Sequence, residues 1–152
     1  MNKIRVLFAD DRPAERADIV ECLNRDERFS ADGCFLSRDG IMRAIEAASY
    51  DLLLLDVELW GGDNDAPDQN DQMFGLKLLN ELHPVLGERG MKTVLLTIHD
   101  LAVPGSKVGA AIGKLVDEQV AQGYLRKPFI PSQHASLLVR FVNSSVSKEG
   151  RI

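Results

Sequence analysis

Only two cysteines occur in the 152 residues, Cys22 and Cys34. Their spacing fits neither a metal knuckle nor a redox pair, so a disulfide-stapled scaffold is excluded and buried, reduced thiols of a cytosolic protein are expected. No run of 18 apolar residues exists, which excludes a helical membrane span. Positive charge is in deficit: 18 Lys and Arg stand against 23 Asp and Glu, a formal net charge of −5. That balance argues against a general nucleic-acid surface. The N-terminal stretch MNKIRVLFADD turns acidic too soon for a signal peptide and lacks a small-residue cleavage site, so the expected location is cytoplasmic. Internal repeats and low-complexity tracts are also missing.

The composition that is present, 45% hydrophobic and 27% charged, is ordinary for one globular domain with a substantial core. Residues 1–146 are expected to form it, with 147–152 as a polar tail or the start of a linker. Apolar runs alternate with helical patterns along the chain. The run Ile4 to Ala9 reads as a strand, and RPAERADIVECLNRD as a helix with Pro13 near its start and Ile19, Val20 and Leu23 inward. FSADGCFLS holds a weaker strand, placed at Gly33 to Leu36. Ser37 looks like an N-cap ahead of a helix whose Ile41, Ala44, Ile45 and Ala48 share one face. DLLLLDV reads as a central parallel strand buried on both sides.

Leu78, Leu79, Leu82 and Leu86 mark a third helix, which Pro84 should kink or end. KTVLLT is another two-sided strand. KVGAAIGKLVDEQVAQ is a helix with Val108, Ala111, Ile112 and Leu115 inward. GYLRKP is a short last strand, and PSQHASLLVRFVNSSV a last helix with Leu138, Phe141 and Val142 on one face. Five β-α units predict an α/β fold: a doubly wound parallel sheet of the flavodoxin-like (βα)5 kind, strand order 2-1-3-4-5.

Chemistry in such a sheet gathers beyond the carboxyl ends of the strands. There the first strand delivers Asp10 and Asp11, the third Asp56, the fourth Thr97 and the fifth Lys127. Three close carboxylates raise one another's pKa unless a cation sits among them. Mg²⁺ prefers oxygen ligands and keeps open positions, so Asp10, Asp11 and Asp56 make a plausible site for it. With the Thr97 hydroxyl and the Lys127 ammonium alongside, this is equipment for phosphoryl transfer to a carboxylate nucleophile.

The pieces FADD, LLLLDVEL, LLT and GYLRKPF, in this order over nearly the whole chain, resemble the receiver domain of bacterial two-component response regulators, the CheY-like family. The resemblance implies that Asp56 is the phosphoacceptor, served by a sensor histidine kinase or a phosphotransfer protein. It implies that Asp11 binds Mg²⁺ directly and Asp10 through water, with the backbone carbonyl of Glu58 as a further ligand. Thr97 and Lys127 would contact the acyl phosphate, Tyr124 would be the aromatic that turns inward when Thr97 moves, and Pro128 would follow a cis bond. Phosphotransfer would be self-catalysed, so the chain would be a switch rather than an enzyme. Its output would pass through the face of the fourth helix, fifth strand and fifth helix to a partner protein, a covalently linked effector domain or a second copy, without nucleic-acid or membrane contact.

Several features depart from that family. Asp56 and Gly75 are 19 positions apart, about ten more than is usual, and loops of that length are uncommon unless functional or disordered. The surplus, WGGDNDAPDQNDQM, fails the EF-hand pattern and reads as a solvated loop with Trp60 at its root. Thr97 and Tyr124 are 27 positions apart, a surplus of roughly eight residues and enough for about two more helical turns. Gly105, Gly109 and Gly113 recur in this region, in keeping with a flexible fourth helix.

Ile98 stands where a small residue is the rule and is expected to crowd the site. Glu58 and His99 occupy the variable flanking positions: Glu58 is expected to offer chiefly its backbone, and His99 to be a loop residue unless it serves as a base for water. Two alternatives remain: a receiver-like binding module that is never phosphorylated, and an aspartyl-phosphate hydrolase. The second is disfavoured because Glu58 replaces the Asp that haloacid-dehalogenase-type enzymes place two residues after the nucleophile.

Overall fold

The computed structural model describes residues 2–58 and 73–143. Trp60, most of the acidic surplus and the tail 147–152 lie outside the described residues. Five strands alternate with five helices: β1 Ile4–Ala9, α1 Pro13–Asn24, β2 Phe29–Cys34, α2 Arg38–Ala47, β3 Leu52–Asp56, α3 Phe74–Glu88, β4 Lys92–Thr97, α4 Lys107–Asp117, β5 Gly123–Arg126 and α5 Pro131–Asn143. The strands pair in parallel in the order β2-β1-β3-β4-β5, as the pattern predicts.

The leucine runs are explained by burial on both faces. Leu53, Leu55, Val57 and Leu95 point into a core layer shared with α2, α3 and α4, through residues such as Ile41, Leu79 and Ile112. Their neighbours Leu52, Leu54, Val94 and Leu96 point the other way, to Leu23 of α1 and Leu138 of α5. Alternation along a strand sends successive side chains to opposite faces, so a strand covered on both faces has no polar position to spare.

Four expectations need correction. The second strand ends at Cys34, so Phe35 and Leu36 fall beyond it. It sits at the sheet edge, paired among the described residues with β1 alone, and a half-covered edge tolerates the polar FSADGC that hid it. Helix α3 runs through Pro84 to Glu88. Pro84 and Asn80, whose carbonyl loses its helical donor, are both exposed, so the break in the bonding ladder faces water rather than core. The surplus after Thr97 adds no helical turns; it forms the loop 98–106, and α4 has only 11 residues. Both cysteines are half-buried rather than buried; burial nonetheless pushes the Cys34 thiol up to about 11.

Ser37 does cap α2: its side-chain oxygen accepts from the Gly40 N–H at 2.9 Å. Ser37→Ala should therefore cost about 1 kcal/mol, read as a lowered urea midpoint at unchanged m-value.

Candidate functional site

The carboxyl ends of β1, β3 and β4 and the residue after β5 meet at one edge of the sheet. Register places them: Ala9 pairs with Leu55 and Asp56 with Leu96, so Asp10 and Asp56 leave adjacent strands at the same level. The carboxylates of Asp10, Asp11 and Asp56 each bring an oxygen within 4.8 Å of the others. Asp10 and Asp56 are fully buried. One Asp10 oxygen, Oδ1, accepts from the Arg12 N–H at 2.9 Å. Its other oxygen and Asp56 Oδ2 are buried without a hydrogen-bond partner among the described residues.

Unsatisfied buried carboxylate oxygens cost several times what a hydrogen bond returns, and a hard cation relieves that cost. The donor set is all oxygen and is converging and incompletely satisfied. It fits Mg²⁺, which would be held by these three residues.

Lys127 supplies the opposite charge. Its Nζ lies 2.7 Å from Asp56 Oδ1 and 3.8 Å from Glu58 Oε1, with its side chain only 15% exposed. The Lys127–Pro128 bond is cis. Burial pushes the Asp56 carboxyl up to about 8, against the pull of Lys127 and with a further push from Asp10. Burial disfavours the charge on Lys127, but Asp56, Glu58 and Asp10 together hold its pKa above the ordinary value.

Thr97 is buried at the end of β4 and does not touch Asp56 through any described hydrogen bond. Its hydroxyl donates to Glu58 Oε2 at 2.6 Å and accepts from the His99 N–H at 3.1 Å. Glu58 Oε1 accepts from the Ile98 N–H at 3.0 Å. The Glu58 side chain is thus an inward, 2% exposed member of the cluster, not a residue that presents its backbone alone. A period-two signal points to it: Asp56 and Glu58 are two apart on extended chain and so face the same side.

His99 is half-buried rather than solvated, and its Nε2 is buried without a partner among the described residues. Ile98 is 42% exposed and forms part of the wall of a cleft of about 430 Å³ that also meets Asp10, Ile19, Lys127 and Phe129. Tyr124 lies on the outward side of β5, 36% exposed. Asp10, Asp11, Asp56, Thr97 and Lys127 are therefore brought to one edge, with Tyr124 three residues before Lys127 on β5 and turned to solvent.

No protein-family model matches the sequence, and no curated protein matches it. Solved structures do match. NtrX from Brucella abortus aligns with 98% of this chain at TM-score 0.69 and 21% identity, and the chain spans 29% of that protein's length. The signal receiver domain of an HD domain-containing protein from Pseudomonas fluorescens Pf-5 aligns with 100% of the chain over 96% of its own length, at TM-score 0.67 and 17% identity. A CheY-like response regulator receiver domain from Methylobacillus flagellatus aligns with 92% of the chain over 99% of its own, at TM-score 0.64 and 21% identity. Likeness at these identities is likeness of fold. Its agreement with the strand order and with the acidic cluster at the strand ends leads to one conclusion: this chain has the fold of the CheY-like receiver domains.

Proposed function

We propose that the chain is a phosphorylation-controlled switch whose phosphoacceptor is Asp56. The observation that carries this reading is the Lys127 ammonium 2.7 Å from Asp56 Oδ1, beside three carboxylates within 4.8 Å of one another. In the proposed reaction an Asp56 oxygen attacks the phosphorus of a phosphohistidine. The bond from phosphorus to the leaving nitrogen breaks, and an acyl phosphate forms on Asp56. A Mg²⁺ ion held by Asp10, Asp11, Asp56 and the Glu58 carbonyl would neutralise charge on the phosphoryl oxygens. Lys127 pairs with one phosphoryl oxygen as the negative charge grows, and Thr97 donates its hydroxyl proton to another.

Phosphorylation then acts as a local electrostatic event that biases the β4–α4 loop and Tyr124. The α4-β5-α5 face carries that bias to a partner: an output protein, a linked effector domain or a second copy. The donor in this scheme is a sensor histidine kinase or a phosphotransfer protein, and the setting is the cytoplasm. The solved relatives give the scheme a context, since one of them is a two-component response regulator of the LuxR family from Aurantimonas sp. SI85-9A1.

Acetyl phosphate with Mg²⁺ tests the reading. Intact-mass spectrometry should show a gain of one phosphoryl group that disappears when EDTA replaces Mg²⁺. No gain from acetyl phosphate or from phosphoramidate would favour the binding module that is never phosphorylated. The committed Thr97 hydroxyl is the observation on that module's side.

A further inference from the structure

The site contains a fourth carboxylate, that of Glu58, and it engages both Thr97 and Lys127, the two side chains that the phosphoacceptor reading assigns to the phosphoryl oxygens. Glu58 Oε2 takes the Thr97 hydroxyl at 2.6 Å, Oε1 takes the Ile98 N–H at 3.0 Å, and Oε1 lies 3.8 Å from Lys127 Nζ. A hydroxyl has one proton to give. The Thr97 hydroxyl gives that proton to Glu58 Oε2, while its oxygen accepts from the His99 N–H at 3.1 Å. The Lys127 ammonium lies 2.7 Å from Asp56 Oδ1 and 3.8 Å from Glu58 Oε1, so the acceptor and the extra carboxylate share one cation.

We propose that Glu58 is a built-in stand-in for the phosphoryl group, its carboxylate filling the cradle of Thr97, Ile98 N–H and Lys127, and that it must be expelled before an acyl phosphate can be seated on Asp56. The proposal rests on the phosphoacceptor reading and extends it: Glu58 is a positioning residue that sets the threshold for phosphorylation. Two physical terms act in the same direction. An arriving phosphoryl group finds its hydroxyl donor occupied by a charge-assisted hydrogen bond, a strong class of contact. It also adds negative charge beside an existing carboxylate in a low-dielectric site, where repulsion is poorly screened.

A rival account is opposite in sign. If Glu58 merely braces Thr97 in the geometry that phosphate requires, its removal loosens the cradle and weakens anion binding. If it occupies the cradle, its removal opens the site and strengthens binding.

The test is titration of beryllium fluoride, a phosphoryl mimic, into the full chain saturated with Mg²⁺, followed by calorimetry and by ¹⁹F NMR of the bound species. Mg²⁺ alone is titrated separately, so that a change in metal affinity is not mistaken for a change in anion affinity. Glu58→Ala should bind beryllium fluoride about tenfold more tightly than wild type, the scale of one hydrogen bond to a charged group. Glu58→Gln, which fills the same space without the charge, should fall between the two.

Should Glu58→Ala fail to fold, the Gln variant carries the test, and it must still bind more tightly than wild type. Binding by wild type with equal or weaker binding by the variants would overturn the stand-in while leaving the phosphoacceptor reading intact. Loss of binding in wild type and every variant would remove both. Binding by the variants alone would support the stand-in in its strongest form.

Discussion

Asp56→Asn should abolish phosphoryl uptake from acetyl phosphate and, in metal-free buffer, leave a protein more stable than wild type at high pH. The first effect follows from chemistry: an amide oxygen is a poor nucleophile toward phosphorus, and Asp56 is the carboxylate paired with Lys127 at 2.7 Å. The second follows from burial, which raises the Asp56 pKa from 3.8 in the ordinary reference to about 8 in the fold. Well below 3.8 the group is protonated both folded and unfolded and contributes no difference. As pH rises from there toward 8 the unfolded chain releases its proton and the folded chain keeps it, so unfolding becomes progressively easier.

The slope is at most about 1.4 kcal/mol per pH unit for a single group, and the loss is complete once pH passes 8. Asparagine carries no such linkage. In EDTA the melting temperature of Asp56→Asn should therefore rise relative to wild type between pH 5 and 9. Added Mg²⁺, binding the folded wild type, should close or reverse the gap, most strongly at the alkaline end. A difference between the two proteins that stays flat with pH would show that Asp56 ionises normally and that the buried cluster is not under charge strain.

How far the site was readable from sequence depended on what each residue's neighbours had to satisfy. Leu52 to Leu55 and Val94 to Leu96 announced themselves because a strand covered on both faces must be apolar throughout. With those two strands placed, Asp56 and Thr97 follow as their last residues, and Asp10 and Lys127 follow as the residues just past β1 and β5. Edge strand β2 gave a weak signal, since Ser30 and Asp32 answer to solvent on one side of the sheet. Pro84 does not end α3: a propensity argument sees the lost N–H but not that the helix turns that side to water. The Thr97–Glu58 bond spans 39 positions in sequence. Parity could place the Glu58 side chain on the correct side, but the partner that holds it there is fixed only by the pairing of β3 with β4.

Gly75→Ala should cost about 3 kcal/mol or more and should weaken Mg²⁺ binding as well, although it puts a better helix former into a helix. Helix propensity alone favours the change by roughly 1 kcal/mol. Against that stands a backbone clash. A Cβ at position 75 would be driven into the Asp56 carbonyl oxygen and would sit 2.8 Å from the Val57 Cα. No rotamer relieves such a contact, because the atoms it meets are main chain on both counts. The same junction is pinned by the Gly75 N–H donating to the Val57 carbonyl at 2.8 Å and the Val57 N–H donating to the Leu96 carbonyl at 3.0 Å.

Overpacking a well-packed core typically costs about 1–3 kcal/mol, and more where main chain must move as it must at Gly75, so the clash outweighs the propensity gain. Relief requires the end of β3 to shift, and Asp56 is its last residue. The expected signature is a lowered urea midpoint together with a raised Kd for Mg²⁺ in the protein that remains folded. A variant as stable as wild type, with unchanged Mg²⁺ affinity, would mean that the start of α3 does not press against the strand that carries the proposed phosphoacceptor.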